Sequence, residues 1–274
     1  MDWIKFGPPA DGLERADVHL LRGFEPHRHD TYTIGLTTAG VQTFRYRGAQ
    51  WVSLPGRLVI LHPDESHDGV AGTDDGFGYR AVYIAPELIR DGIDGSPLPF
   101  VADPVQRVAR ATRPIISVLA DIDEPIDELG CAEIVAAVAD SLVSLGCRPD
   151  HRRPTRIDMR AVTLVREYLT AYARQRTRAS TLEGVAGIDR FTIARHFRRA
   201  FGTSPDRYRT LRRLELARSA IESGQSLARA AAESGFADQS HMTRQFKRTY
   251  GFTPARWMAL TAVARRGEET AIGQ

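Results

Sequence analysis

The 274-residue sequence lacks the features that mark several large classes of protein. Its two cysteines, Cys131 and Cys147, are too few and too isolated for a disulfide framework or a cysteine-based zinc site. No run of about 18 apolar residues occurs, so no segment is expected to span a membrane. Residues 1–10 lack a basic segment followed by an apolar one, so they do not resemble a signal peptide. We therefore expect a cytoplasmic protein with no membrane partner.

The two halves of the chain carry net charges of opposite sign. Residues 1–147 contain 12 basic and 22 acidic residues, whereas residues 148–274 contain 25 basic and 12 acidic residues. A polyanion is attracted by a basic surface, so this asymmetry favours a second half that meets nucleic acid. The alternative is a basic surface that is merely solvated.

The N-terminal half changes character along its length. Residues 13–85 contain short apolar and aromatic runs separated by Gly, Pro and Asp, a pattern typical of a small barrel or sandwich of short strands. Residues 103–146 indicate helices, first from the spacing of Val105, Val108 and Ala109. A second helix follows from the apolar face of Ile134, Val135, Val138, Leu142 and Leu145, which either closes the barrel or pairs with a second copy of the chain.

A polar, basic segment with two prolines separates this half from a helical C-terminal half. We predict an α+β protein of two domains, in which a cupin-like β-barrel with following helices precedes an all-α domain. The predicted boundaries are 1–147 for a sensor and dimerisation domain, 148–157 for a linker, 158–266 for a DNA-binding domain and 267–274 for a flexible tail. Asp158 is expected to cap the first helix of the second domain, which should run to about Ala173.

The C-terminal half contains an internal repeat. Phe197 to Pro205 matches Phe246 to Pro254 at an offset of 49 residues, and Asp189 meets Asp238 at the same offset. Each copy predicts a helix, a break at glycine and a second helix that begins after the aspartate and ends at Gly202 or Gly251. Two helices joined by a short glycine-containing turn form a helix-turn-helix unit.

Helical spacing divides the second helix of each copy into two faces. Ile193 and Phe197, like Met242 and Phe246, are four residues apart and are expected to face the core. The opposite faces carry arginine, glutamine and small residues that suit guanine, adenine and the thymine methyl group. The cationic residues expected to neutralise DNA phosphates are Arg198, Arg199, Lys247 and Arg248.

Residues 235–254, GFADQSHMTRQFKRTYGFTP, closely resemble the signature of the AraC/XylS family of bacterial transcription regulators. The resemblance implies two recognition helices in successive major-groove segments, joined by a long helix from Pro205 to about Ser223. By position it also implies the residues that read bases, which are Arg190, Phe191, Ala194, Arg195, Gln239, Ser240, His241, Thr243 and Arg244. Phe191 either contacts a thymine or packs against a neighbouring helix. The first copy departs from the family pattern at Ala179 and at Glu183, where a small residue is common.

The N-terminal half resembles the cupin-like sensor domain of that family. Pro26 to Thr33 with Gly40 resembles the first cupin motif, and Pro55 to His67 the second. In metal-binding cupins three histidines and one glutamate bind the ion; here His27, His29 and His67 take the histidine positions, but Thr33 replaces the glutamate. A divalent metal is therefore one interpretation, and a degenerate pocket for an organic effector is the other. The expected effector pocket consists of His27, His29, Tyr32, Phe44, Tyr46, His67 and Tyr83.

Together these observations predict a sequence-specific DNA-binding regulator that is controlled by a small-molecule effector in the N-terminal barrel. We expect the protein not to be an enzyme. Its expected partners are double-stranded DNA, the effector, a second copy of the chain in a homodimer, and RNA polymerase. The alternative hypothesis is a metal-dependent cupin enzyme that carries a DNA-binding appendage. The missing glutamate argues against that alternative, as does the lack of a nucleophile and base at a recognisable spacing.

Overall fold

The computed structural model describes residues 1–93, 96–146 and 157–272, and the side chains of the last helix only as far as residue 264. The chain forms two compact units, one of residues 1–150 with 255–274 and the other of residues 151–254. The first is rich in strands and the second is helical. The predicted α+β fold class is thus confirmed. The predicted linker lies outside the described residues except for Ile157.

Among the residues that the structure describes in the N-terminal unit, ten short strands alternate with turns. They are β1 Trp3–Phe6, β2 Leu13–Leu20, β3 Gly23–His27, β4 Tyr32–Gly40, β5 Gln42–Tyr46, β6 Ala49–Ser53, β7 Arg57–Leu61, β8 His67–Ala71, β9 Phe77–Ile84 and β10 Val105–Arg107. They form an antiparallel six-stranded sheet in the order β1-β2-β9-β4-β7-β10 and a four-stranded sheet in the order β3-β8-β5-β6. The sheets enclose an interior, and the other face of the larger sheet is covered by helices.

The covering helices are α1 Pro86–Asp91, α2 Arg113–Ala120 and α3 Glu128–Leu145. Val135, Val138 and Leu142 of α3 are buried in one core cluster with Ile34 and Ile60 of the larger sheet. Asp127 begins α3, because its carboxylate accepts the N–H of Gly130 at 2.7 Å. The apolar face of α3 therefore closes the N-terminal unit. That face is used within the chain and is not available to pair with a second copy.

The helix predicted from Val105, Val108 and Ala109 is wrong. Val105 belongs to β10, which pairs antiparallel with β7 and places Val105 opposite Val59. A short 3-10 turn at Arg110–Thr112 follows, and α2 begins only at Arg113. Val108 and Ala109 lie outside β10, so the three apolar residues do not share one element, and pairing with β7 decides the conformation at Val105.

The C-terminal half is helical, and the four helices of the repeat occur where the sequence predicts them. They are α4 Met159–Ala171, α5 Ala179–Ala186, α6 Arg190–Phe201, α7 Pro205–Glu222, α8 Leu227–Glu233, α9 Gln239–Tyr250 and α10 Pro254–Ile272. Asp158 caps α4 through a 3.0 Å bond from the Ala161 N–H, as expected. Helix α7 is the long connector between the two helix-turn-helix units, α5–α6 and α8–α9. Helix α4 packs on α5, α6 and α7.

The C-terminal helix is longer than the sequence suggests. Its backbone continues to Ile272, so residues 267–272 are helical and the predicted flexible tail is wrong over that range. No proline interrupts the sequence after Pro254, and a single Gly267 within a helix is tolerated at a modest cost. This helix groups with the N-terminal unit, where the rings of Phe6 and Trp257 lie 5.2 Å apart. In the part of the chain that the structure describes, no helix is long and apolar enough to cross a membrane.

Candidate functional site

The two recognition helices, α6 and α9, each bury one face and expose the other. Ile193, Phe197, Met242 and Phe246 are almost completely buried, as the four-residue spacing predicts. Around α6 the aromatic core includes Phe201 and Tyr208, whose rings lie 4.5 Å and 5.5 Å from that of Phe197. The opposite faces are left to solvent. The predicted base-reading residues are exposed or half-buried, and they are Arg190, Phe191, Ala194, Arg195, Gln239, Ser240, His241, Thr243 and Arg244.

Both recognition helices are capped by an aspartate just before their first residue and by a left-handed glycine just after their last. The Asp189 carboxylate accepts the N–H groups of Phe191 and Thr192, each at 3.0 Å. The Asp238 carboxylate accepts the N–H of His241 at 2.6 Å. Gly202 and Gly251 have φ of 72° and 76°, a conformation that favours glycine. These local signals fix where each exposed face starts and stops.

The turn of the second unit needs a glycine for a further reason. Gly235 has φ of 80°, and a Cβ atom there would lie only 2.4 Å from the Arg174 carbonyl oxygen. Gly187, at the turn of the first unit, has a positive φ but open space around it. Of these two turns, therefore, only the second approaches another backbone closely.

An ion pair that the sequence did not predict joins the two helices of the first unit. The Glu183 carboxylate of α5 accepts Nε and Nη2 of Arg190 at 2.8 Å and 3.1 Å, and also the Arg190 backbone N–H at 3.1 Å. The hydrogen bond from the Arg190 side chain is the main cause that lowers the pKa of Glu183. One predicted base-reading residue is thus held by a carboxylate.

Phe191 and the cationic residues lie on the solvent side. The Phe191 side chain is 77% exposed, so it does not pack against a neighbouring helix, which was one of its two interpretations. Arg198, Arg199 and Arg248 are exposed, and Lys247 is half-buried. These side chains extend the cationic face beyond the predicted base-reading positions.

The N-terminal unit contains a small cavity between its two sheets. Its volume is about 40 Å³. The four-stranded sheet and the β3–β4 turn contribute Phe24, His27, His29, Gln42 and His67, and the six-stranded sheet contributes Thr33, Gly35, Val59, Leu61, Tyr79 and Tyr83. A pocket for a drug-sized molecule usually has about 300–1,000 Å³. This cavity suits an ion or a few water-sized groups.

Three histidines converge at the cavity, as the cupin resemblance predicts. One ring nitrogen from each of His27, His29 and His67 lies within 4.8 Å of the other two. His27 and His67 are brought together because they face each other in the pairing of β3 with β8. Burial lowers the pKa of His67 to about 4, so this ring is neutral near pH 7.

Each of the three rings places its Nδ1 next to a backbone carbonyl. His27 Nδ1 lies 3.0 Å from the Glu25 oxygen, and His67 Nδ1 lies 3.2 Å from the Glu65 oxygen. His29 Nδ1 lies 3.3 Å from the oxygen of Thr31. A carbonyl only accepts, so it favours the tautomer with the proton on Nδ1 and the lone pair on Nε2. A histidine that binds a metal through Nε2 is commonly oriented in this way.

The donor set fits a divalent cation although the carboxylate is missing. Three imidazoles are a sufficient protein ligand set for zinc with an open fourth position. The Thr33 hydroxyl oxygen lies 3.0 Å from His29 Nε2, so a bound ion would replace the hydrogen bond between these two atoms. Of the described residues that line the cavity, Gln42 also offers a neutral oxygen. No charged ligand is needed for an imidazole site of this kind.

Three residues predicted for the pocket lie outside the cavity lining. Tyr32 alternates with Thr33 along β4, so it points to the opposite face and joins the core under the helices, with its hydroxyl bonded to the Pro99 oxygen at 2.8 Å. Phe44 and Tyr46 pack instead in a separate core cluster with Val59. The Tyr46 hydroxyl also contacts the buried Nδ1 of His62 at 2.8 Å.

Several lining residues were not identified from the sequence. Gly35 follows Thr33 by two along β4, and Leu61 follows Val59 by two along β7, so strand alternation is the signal that could have found them. Gln42 and Phe24 come from the smaller sheet, where only the pairing of the strands places them on the same face as His27 and His67.

Two family models match this chain. One is described as an AraC-like ligand binding domain and matches residues 13–139, and the other is a helix-turn-helix domain that matches residues 182–259. The HTH-type transcriptional regulator YbfI of Bacillus subtilis is 24% identical over 227 residues, which cover 81% of this chain and 82% of YbfI. LumQ of Photobacterium leiognathi is 26% identical over 149 residues, 53% of this chain and 59% of LumQ.

Among solved structures, ToxT from Vibrio cholerae shares the fold. It superposes with a TM-score of 0.64 at 11% identity, covering 91% of this chain and 99% of ToxT. A second ToxT structure, with an unsaturated fatty acid bound, has a TM-score of 0.63 at 12% identity, covering 91% of this chain and 95% of ToxT. The two-domain order of a β-rich unit followed by helix-turn-helix units is therefore common to both proteins.

Proposed function

We propose that this chain, a transcription regulator of the AraC family with an AraC-like ligand-binding domain ahead of a helix-turn-helix domain, reads a specific sequence of double-stranded DNA with both recognition helices. The observation that carries this proposal is the exposure of equivalent faces on α6 and α9. Arg195 and Arg244, 49 residues apart, are both exposed above a buried apolar face. Arginine at such positions is suited to guanine in the major groove.

The remaining exposed residues support the same role. Phe191, because it is exposed, is assigned to a thymine methyl group or a sugar. Arg198, Arg199, Lys247 and Arg248 are assigned to phosphates, where they add affinity without sequence preference. Since the target is DNA in a bacterial cell, we place the protein in the cytoplasm.

Selection of random DNA fragments by the purified full-length protein tests this proposal. If both helices read bases, the selected site contains two conserved segments whose centres lie about one helical turn, roughly 34 Å, apart. A single conserved segment would mean that only one helix reads bases. No enrichment of any sequence would contradict the proposal.

The effector of the N-terminal unit is a second part of the proposal. We assign to the three histidines a divalent cation of the zinc type, because their Nδ1 atoms face carbonyls and the cavity of about 40 Å³ has little room for a larger molecule. The fatty acid of ToxT would need a larger space than this cavity offers. Cation binding would change the affinity for DNA only if the DNA-binding and non-binding states of the protein bind the cation with different affinities.

Equilibrium dialysis with Zn²⁺ tests the cation site without reference to DNA. One Zn²⁺ per chain is expected, with a melting temperature that rises with Zn²⁺ concentration because the ion binds the folded state. His27→Ala should abolish both effects, and His19→Ala, which changes a histidine outside the cavity, should leave them unchanged. Failure of wild-type protein to bind Zn²⁺ would favour the degenerate pocket and an organic effector.

We also propose that the protein acts without catalysis, as a homodimer that contacts RNA polymerase. The buried face of α3 is used within the unit, so a dimer contact on this helix would involve its outer residues, such as Leu129 and Val143, which are exposed. Sedimentation at several protein concentrations measures the oligomeric state. A metal-dependent cupin enzyme is the competing proposal, and it requires turnover of a substrate by the metal-loaded protein.

A further inference from the structure

The ion pair between Glu183 and Arg190 occupies one edge of the guanidinium group and makes no contact with the other edge. The carboxylate receives Nε and Nη2, which form one fork of the planar guanidinium. The second fork consists of Nη1 and the remaining N–H of Nη2, and it points away from the carboxylate because the group is planar. Within the described residues, the Arg190 side chain has no other hydrogen-bond or ion-pair partner. Its second fork is therefore available to a ligand.

The position of this fork is set by the start of the recognition helix. Arg190 is the first residue of α6, and its own backbone N–H is also bonded to Glu183. Glu183 thus fixes the main chain and the side chain of the same residue, while Asp189 caps the next two N–H groups. A free arginine would lose much more rotamer freedom when it binds a base.

The charge of the pair also matters for DNA. A carboxylate beside an arginine cancels its attraction for phosphates, so the pair adds little to sequence-independent binding. The free fork still matches the O6 and N7 acceptors of guanine. An arginine held in this way contributes to discrimination among bases more than to affinity for DNA in general.

The second helix-turn-helix unit lacks this arrangement. Glu183 lies four residues before the left-handed Gly187, and the residue four before the left-handed Gly235 is Ala231, which is buried. The first residue of α9 is Gln239, and among the described residues no carboxylate is bonded to it. The carboxylate is therefore a feature of the first unit alone and is not required by the helix-turn-helix fold.

We propose that Glu183 is a positioning residue that presents the second fork of Arg190 to a guanine in the DNA segment read by α6. This inference rests on the proposed function, in which α6 enters the major groove. It adds the identity of one base and assigns a role to a residue that does not itself read DNA.

The test measures the binding of full-length variants to the selected site and to its single-base variants. Arg190→Ala should lower the preference for guanine at one position roughly tenfold to a hundredfold. Glu183→Ala and Glu183→Gln should lower the same preference several-fold, with no loss of affinity for unrelated DNA because a negative charge is removed. In the Arg190→Ala background, Glu183→Ala should cause no further loss.

The matched control is Glu233→Ala. Glu233 forms an ion pair with Arg229 at 2.7 Å on α8, the equivalent helix of the second unit, but contacts no recognition helix through that pair. Its loss should leave every base preference unchanged. Melting temperatures of all variants show whether each remains folded.

Two results would overturn the inference. One is a uniform loss of affinity for all sequences in Glu183→Gln, which a purely structural role would produce. The other is an equal effect of Glu183→Ala with and without Arg190. Failure of the wild-type protein to select any sequence would contradict the proposed function itself. A selected two-segment site that is unchanged by Arg190→Ala would contradict only the inference.

Discussion

The two helix-turn-helix units have matching recognition helices but differ in the helix that supports each of them. Ser226 caps helix α8 because its hydroxyl accepts the Arg229 N–H, and the helix buries Ala230 and Ala231. Helix α5 has no side-chain cap and contains no fully buried residue. In the first unit, Leu182 and Ala186 of α5 are only partly buried against the core, and the ion pair from Glu183 adds a polar contact between the helices. The same recognition element can therefore be supported by fully buried residues or by partly buried residues together with a polar contact.

The largest expected effect concerns the cores of the two recognition helices. Phe197→Ala and Phe246→Ala should each lower the free energy of unfolding of the C-terminal unit by about 3–5 kcal/mol, because each removes a fully buried ring. Urea unfolding followed by circular dichroism measures both. Equal losses would show that the two cores are equally consolidated. A loss below about 1 kcal/mol in the first unit would mean that its core is loose.

The next prediction concerns the two equivalent arginines. Arg195→Ala and Arg244→Ala should each cost about 1–3 kcal/mol on the selected site and relax one base position. The two relaxed positions should lie about one helical turn of DNA apart. Arg195 also donates to the Thr192 hydroxyl at 3.2 Å, and this bond helps to orient its side chain. Thr192→Val should therefore slightly reduce the base preference that depends on Arg195. Unchanged discrimination in either arginine variant would remove that residue from the base-reading set.

The helix caps should have smaller effects, on stability alone. Asp189→Ala and Asp238→Ala should each lower the melting temperature by a few degrees, since each leaves N–H groups of a recognition helix without an acceptor. Hydrogen bonds, chiefly from Thr192, lower the pKa of Asp189. Its contribution is therefore present above the ordinary carboxyl pKa and is lost as the pH falls through the lowered value. A wild-type advantage that grows on acidification would contradict this role.

The smallest effects are expected at the phosphate-binding positions. Arg198→Ala and Lys247→Ala, equivalent across the repeat, should weaken binding to all sequences alike and reduce the slope of log K against log salt by about 1. Titrations at several salt concentrations measure that slope. A loss confined to one base position would assign the residue to base reading.

The recognition helices could be predicted from the sequence because their signals are local. Aspartate caps, left-handed glycines and apolar residues four apart lie within one stretch of 14 residues, and the repeat presents them twice. The three histidines were also predicted, since alternate residues on a strand share a face and the cupin motifs supply the rest.

Other features depend on contacts between distant residues. The local sequence around Val105 predicts a helix, whereas in the structure Val105 lies in a strand because it pairs with β7. Tyr32 was predicted to line the pocket, but only the placement of the helices over the larger sheet shows which face of β4 is the cavity side. The pair of Glu183 and Arg190 spans a turn, and neither residue has a spacing that marks it as paired.

The sequence alone determined that two copies of one helix-turn-helix unit follow an acidic, strand-rich half, because caps, breaks and periodicity act over a few residues. Tertiary structure decided which side chains share the barrel cavity, how large that cavity is and which carboxylate holds Arg190. Those outcomes depend on strand pairing and helix packing between residues far apart in the chain, for which a single sequence carries no local signal.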